Sequence, residues 1–410
     1  MDRACELFLE AVGAALKNEK VDWDQEISPT HWLQMFKLAE IHRMLPMVYQ
    51  AVAACPAMQK ADKSLFGHTR MVAIQMVAIQ AQKTAEFLPL IDALKKSGAE
   101  PLVVKGIICR RLYPNPDLRM SSDEDVLILP ERFADCHEVM TRLGMQAESD
   151  DFEDYEIPYS RPGGALFVEM HKSLFPDSSE AYGDLNRYFQ DIRSRMVEVD
   201  GIPTMAPTDH MLYLLCHAFK HFLHSGFGIR QVCDLILFAN RFGREIDWLY
   251  VLDCCRQIRA EQFVAGLFRI GWKYLGFSLE DSRYPIQWQA IIVNEEPLLE
   301  DILLAGVYGT ASMSRLHSSS ITLQAVSAQK KGRRNPNSIL KSLFPPARDL
   351  EKRYPYLRKN PILLPVAWTD RIIKYSKETA DCAANTPGDS LRIGNQRIEL
   401  LRKYGVLDKK

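Results

Sequence analysis

The run "SSDEDVLIL", residues 121–129, sets three neighbouring carboxylates at the entrance of an apolar segment. An acidic surface turn leads into more polar residues. A buried strand does not ordinarily begin with three charges. Strand side chains alternate with period two, so Asp123 and Asp125 share one face and Glu124 points to the other. A strand over about 123–129 thus needs compensation for two carboxylates at its mouth. A hard divalent cation is one way to supply it, although an Asp-x-Asp pair alone is common without metal. Magnesium takes oxygen ligands, usually one or two carboxylates plus substrate phosphates, and ions about 3.5–4 Å apart are spanned by a bridging carboxylate.

Such a site usually needs a third acid from a neighbouring strand. In "ALFVEMHKSL", Glu169 interrupts an apolar run, and His171 follows two residues later on the same face. A charge within a buried strand is costly unless paired or bound to metal, so Glu169 is the expected partner of Asp123 and Asp125.

The surrounding pattern predicts an α+β chain, a small mixed-sheet core flanked by N- and C-terminal helical regions. Residues 1–85 read as helices, with "SPTHW" as a cap and first turn and Trp32, Met35, Phe36 and Ala39 at helical spacing. "MVAIQMVAIQ" at 71–80 belongs to a long buried helix reaching about Lys96. The core, 86–200, contains a strand at "PLVVKG", a helix to about Leu112, the "YPNPD" turn and the acidic strand. It continues with a helix over 130–144 and two strands in "YEIPYSRPGGALFVEMH" joined by a glycine-containing turn. A helical domain spans 201–308. Residues 309–410 read as a basic loop at "SAQKKGRRNPNS", a proline-broken arm, a helix over about 366–380 and a polar tail.

Lys plus Arg is 51 and Asp plus Glu is 52, so no global basic field recruits nucleic acid and any phosphate site is local. No apolar run reaches the ~18 residues that span a bilayer. The N-terminus lacks the basic start of a signal peptide, and the nine cysteines include no CxxC pair. These features point to reduced thiols and a cytoplasmic location. There is no P-loop or glycine-rich kinase loop. "ESDDFEDYE" at 148–156 reads as a solvated acidic run, and "KKGRR" at 330–334 as a solvated loop.

A helix from Thr208 or Asp209 as N-cap places His210, His217, His221 and His224 within about 60° of one another, with Tyr213 beside them. The stripe is either a polar wall of a ligand cleft or a set of structural histidines. His217 and His221 have zinc-compatible i, i+4 spacing, but no further ligand completes the set. Arg230 and Asp234, also i, i+4, are either a helix-surface ion pair or part of that wall.

The segment "VVKGIICRRLYPNPDLRMSSDEDVLIL" resembles a family described as uncharacterised nucleotidyltransferases, found near polysaccharide and peptide-natural-product clusters. It is a branch of the DNA polymerase beta-like superfamily. The shared elements are Lys105 and Gly106 after a strand, the Tyr113–Pro114 turn, Arg119 ahead of Asp123-x-Asp125, and Glu169-x-His171. His217, His221, Arg230 and Asp234 match a later helical motif, and "LFPPARDLEKRY" a last one, so the likeness runs from about 30 to 375. Three departures stand out. Glu124 occupies a usually aliphatic position, Met120 a frequent proline, and "HKSLF" lacks a common tryptophan. Glu124 either finds a partner in the core or marks an exposed strand start.

The resemblance implies transfer of a nucleoside monophosphate from a nucleoside triphosphate, ATP among them, to an acceptor hydroxyl. Magnesium, with manganese as the alternative, would be held by Asp123, Asp125 and Glu169. Glu169 is also placed to take the acceptor proton. Lys105 and Arg119 would offset triphosphate charge, Gly106 would let the backbone approach a phosphate faced by the amides of the following helix, and Ser121 and Ser122 would donate hydrogen bonds. The plainer alternatives are that Lys105 caps a strand end, Arg119 pairs with Asp117 or Glu124, and Gly106 serves only the tight strand-to-helix turn. His171, His217, His221, Arg230 and Asp234 would complete the nucleotide site. The other reading is a nucleotide-binding or assembly protein that keeps the fold without turnover.

Overall fold

The computed structural model describes residues 1–61, 63–149, 152–177, 179–306, 313–330, 346–350, 354, 356–370 and 387–408. The fold is α+β. Five N-terminal helices, α1 (Arg3–Leu16), α2 (Pro29–Ile41), α3 (Leu45–Val52), α4 (Pro56–Lys60) and α5 (Lys63–Lys96), lead into the sheet. Ser28 caps α2 by accepting from the His31 amide, and Pro29 starts the helix without needing a donor. The expected burial of 71–80 is corrected. The residues are helical, but Met71, Ile74 and Ile79 face solvent. A five-residue echo is out of phase with a 3.6-residue helix, so its apolar positions spiral around the axis instead of forming a stripe.

The sheet comprises β1 (Leu102–Val103), β2 (Glu124–Leu127), β3 (Gln146–Ala147), β4 (Glu156–Ser160) and β5 (Phe167–His171), ordered β1-β2-β5-β4-β3. β2 and β5 run parallel, and every other pair is antiparallel. Parallel neighbours require a crossover, supplied here by α7 (Phe133–Arg142) with β3 and β4. The short α6 (Ile107–Arg110) follows β1. Val126, Ile157, Val168 and Met170 point to one face, where Phe87, Leu90, Ile91 and Leu94 of α5 and Val139 and Met140 of α7 cover them. The alternate positions, Asp125, Glu169, His171 and Glu156, are left on the opposite face by the period-two rule.

A two-stranded ribbon, β6 (Val197–Val199) with β7 (Ile202–Thr204), carries the chain across, and Thr204 Oγ1 donates to the Val103 carbonyl at 2.6 Å. Helices α8 (Pro207–Leu223), α9 (Ile229–Phe242), α10 (Trp248–Gln257) and α11 (Glu261–Tyr274) pack as a helical layer. The start of α8 differs from expectation. Ala206 is the N-cap and Pro207, with its fixed φ, opens the helix. Thr208 and Asp209 are engaged elsewhere. Thr208 accepts from the Asp247 amide, and Asp209 takes both arms of the Arg195 fork at 3.0 Å.

Three further helices, α12 (Glu296–Ala305), α13 (Met313–Lys330) and α14 (Pro387–Lys403), close the molecule. The basic run 331–334 lies outside the described residues. The expected polar tail is corrected. Its α14 packs along α13, and Leu400, Leu401, Tyr404, Val406 and Leu407 enter the main core. Half-buried Asp301 of α12 pairs with Arg315 at 2.7 Å and Arg397 at 2.7 Å. These arginines donate to the carbonyls of Ser225 and Phe222, beside the C-terminus of α8. Cationic groups at that end complement the helix dipole.

His42 joins the N-terminal helices to this layer. Its Nδ1 accepts from the Ile229 amide at 3.3 Å, so Nε2 carries the proton and donates to the Leu303 carbonyl at 3.2 Å. Burial depresses its pKa from 6.5 to about 4. The unfolded chain binds this proton at a higher pH than the folded one. His42 therefore contributes its full stability above about pH 6.5 and loses it as pH falls toward 4, at most on the order of 3 kcal/mol. Urea unfolding across that range should show this decline. His42→Gln should flatten it in part, with buried His210, also depressed to about 4, supplying more of the remaining slope.

Candidate active site

The register of β2 with β5 sets Asp125 directly beside Glu169 and Leu127 beside His171. Antiparallel β4 sets Glu156 opposite His171. Asp125 Oδ1 lies 3.2 Å from His171 Nε2, and Glu169 Oε2 lies 3.7 Å from the same nitrogen. Glu156 is 3.9 Å from His171 Nδ1. Asp125, Glu169 and His171 present donor atoms close enough together to hold a metal ion. Asp123, just ahead of the strand, lines the same cleft.

Lys105, at the end of β1, reaches into this group. Its Nζ is 3.6 Å from Asp125 and 4.0 Å from Asp123. Burial by itself would favour the neutral amine, but Asp125 and Asp123 outweigh it and raise its pKa. Burial likewise opposes the charge on Asp125, yet Lys105 and His171 hold its carboxyl well below the usual carboxylate range. Burial pushes Glu169 up, and neighbouring Asp125 adds to the rise. For His171, burial favours the neutral ring, but hydrogen bonds to Asp125 and Glu169 win and lift it to about 9.

Helices α8 and α9 form the opposing wall of a cleft of about 250 Å³, with His217, Lys220, His221, His224 and Arg230 along it. Burial, reinforced by Lys105, drives His217 and His221 well below 6.5, so both are neutral near pH 7. His217 Nε2 lies 3.5 Å from the Lys105 ammonium and 3.2 Å from His221 Nε2. An ammonium can only donate, so His217 Nε2 is bare and His221 Nε2–H donates to it. The stripe divides here. His210 lies buried beneath the wall, 3.4 Å from Thr204 Oγ1 and against Phe238.

Several expected ligand contacts lie beneath the cleft instead. Arg119 makes a fork to Asp234, at 3.1 Å and 2.5 Å, and Tyr113 donates to the same carboxylate at 2.7 Å. All three are buried, so Arg119 meets neither triphosphate nor Asp117 or Glu124, and Asp234 does not pair with Arg230. A buried guanidinium needs a fully bonded partner, and Asp234 supplies it across the sheet–helix junction. Arg230 itself donates to the Met120 carbonyl while lining the cleft.

Glu124 resolves its two readings in favour of the core. It forms a fully buried pair with Arg110, and its Oε2 accepts from the Ile107 amide at 2.7 Å. Ser121 Oγ, 2.8 Å from Arg110, belongs to this network, while Ser122 lines the cleft. Of the two readings of Gly106, its geometry favours the tight strand-to-helix turn. Its φ is +58°, and a Cβ there would stand 2.0 Å from Glu124 Oε2. The residue admits Glu124 to the start of α6, the place expected to face a phosphate.

Sequence reasoning missed Tyr155, Glu156 and Lys220 in the cleft lining. Glu156 belongs to the run read as solvated, although the hairpin's alternation places it on the face of His171. Lys220 sits within the histidine stripe, between His217 and His221. Gln80 and Lys83 of α5 were also missed. They bind the Ser121 amide at 2.7 Å and the Ser121 carbonyl at 2.8 Å, pinning the loop that delivers Asp123. Polar residues within a helical stretch carry no sequence signal for such a contact.

Carboxylates on a sheet face are thus opposed by lysine, arginine and histidines across one cleft. A family model described as uncharacterised nucleotidyltransferase matches residues 28–276, more than half of the chain. The chain belongs to that family. No curated protein and no solved structure matches it. The match stops short of the late Phe-Pro and Arg-Tyr motif at 344–354. Phe344, Pro345 and Arg353 of that motif also lie outside the described residues. No helix among the described residues is long and apolar enough to cross a membrane.

Proposed function

We propose that the protein is a divalent-cation-dependent nucleotidyltransferase that moves a nucleoside monophosphate from a nucleoside triphosphate to an acceptor hydroxyl. The observation that carries this reading is the side-by-side placement of Asp125 and Glu169 in a cleft whose other wall is basic. The donors fit magnesium or manganese. They are hard carboxylate oxygens, and Asp125 Oδ2 is buried with no hydrogen-bond partner. Asp123, Asp125 and Glu169 would hold the ion, with His171 orienting the last two. A cation bound there lowers the pKa of an acceptor hydroxyl and neutralises charge on a departing pyrophosphate.

The chain's own groups do the rest. Glu169, raised by burial, is poised to accept the acceptor's proton. Lys105, Lys220 and Arg230 balance triphosphate charge, and neutral His217 and His221 offer direction-specific hydrogen bonds. The Ile107 amide at the start of α6 does not contribute, because Glu124 already occupies it. The acceptor is a sugar, a lipid precursor, a small molecule, a peptide or a protein side chain. Incubation with each of the four labelled triphosphates, magnesium and a cell extract tests the proposal. Label should pass to a product with at least one of them. Folded protein that transfers none would favour nucleotide binding without turnover.

A further inference from the structure

Lys105 stands where the carboxylates most need a cation. Its ammonium faces Asp123, Asp125 and the bare Nε2 of His217, at 4.0, 3.6 and 3.5 Å. A charge-assisted hydrogen bond is about 2.7–2.9 Å long, so the ammonium compensates these groups without being locked to them. The backbone beneath it is rigid, because Glu124 holds the Ile107 amide and fills the space beside Gly106. Any movement thus falls to the flexible four-carbon side chain. The same Glu124 denies a triphosphate the Ile107 amide at the start of α6, while Lys105, Lys220 and Arg230 line the cleft as counter-charges.

We propose that Lys105 is an exchangeable internal counter-ion, neutralising Asp123 and Asp125 until a divalent cation and a triphosphate arrive together. The inference rests on the metal-site reading above. Lys105 repels a cation that comes alone to the same carboxylates. A triphosphate gives the ammonium a new partner and frees Asp123 and Asp125. Cation and nucleotide then bind synergistically, and Lys105 couples them.

The test is Mn2+ binding by the full chain, followed by the electron paramagnetic resonance of free Mn2+, with and without a non-hydrolysable triphosphate analogue. Wild type should bind Mn2+ weakly alone and roughly tenfold or more tighter with the analogue. Lys105→Met should bind Mn2+ alone roughly tenfold tighter than wild type and gain less from the analogue. A variant that binds Mn2+ alone no tighter than wild type overturns the proposal, even if wild type binds Mn2+ with the analogue. If neither protein takes up Mn2+ under any condition, the metal-site reading itself fails and the proposal with it. Lys105→Gln covers the case of poor folding in the methionine variant. Added Mg2+ should raise its melting temperature more than that of wild type, and equal shifts would contradict a displaced counter-ion.

Discussion

Asp125→Asn should retain the fold and lose nucleotidyl transfer by roughly a thousandfold or more. The substitution conserves shape but removes the charge that faces Lys105 at 3.6 Å and His171 at 3.2 Å. Among the cleft carboxylates, Asp125 is the one with a buried oxygen that makes no hydrogen bond, and the one set directly beside Glu169. Label transfer and Mn2+ uptake should therefore fall together, while the far-ultraviolet circular dichroism stays that of wild type. The control is Glu156→Gln. Glu156 shares the face but stands at the partly exposed rim, 3.9 Å from His171 Nδ1. Its loss should cost less than about tenfold in transfer, since a partly solvated charge is screened. Equal losses in the two variants would count against a metal centred on Asp125.

The second large effect is on stability, in the network beneath the acidic strand. Glu124→Ala leaves the Arg110 guanidinium buried without its carboxylate and the Ile107 amide without an acceptor. Removing one partner of a buried pair costs about 3–5 kcal/mol. Gly106→Ala should be as severe in the wild-type chain, because its new methyl would lie 2.0 Å from Glu124 Oε2. Placed in the Glu124→Ala background, the same methyl meets no carboxylate, and only backbone strain at φ +58° and ψ −111° remains, about 1–3 kcal/mol. Urea denaturation of both single variants and the double should show this strong non-additivity. Simple additivity would mean that Gly106 is required for another reason.

Some features of this arrangement were legible without coordinates. Alternation along "DEDVLIL" separated Glu124 from its two neighbours, and the same rule put Glu169 and His171 on a common face. Both follow from the local geometry of an extended chain, which needs no knowledge of the partner strand. The hairpin over 155–171 was legible for the same reason. Other readings failed where the outcome depended on distant contacts. Arg119 and Asp234 looked like ligand-facing residues, yet the junction between sheet and helices consumes both with Tyr113. Gly106 looked like a phosphate approach, but a side chain from β2 fills that place. The polar tail carried enough leucine and tyrosine to dock as α14, but its register against α13 exists only in the folded chain.

The sequence by itself determined the α+β class, the parity of the acidic strand and the common facing of Glu169 and His171, because local periodicity encodes each of them. Tertiary structure alone decided which basic groups meet those carboxylates. Lys105, Lys220 and Arg230 come from three separate segments, and their convergence depends on helix packing and strand order. It also decided the role of Glu124. Facing away from Asp123 and Asp125 is a property of the strand. Becoming the acceptor for the Ile107 amide and the partner of Arg110 required β1, β2 and α6 to be brought together, since a buried carboxylate is tolerated only where donors converge on it.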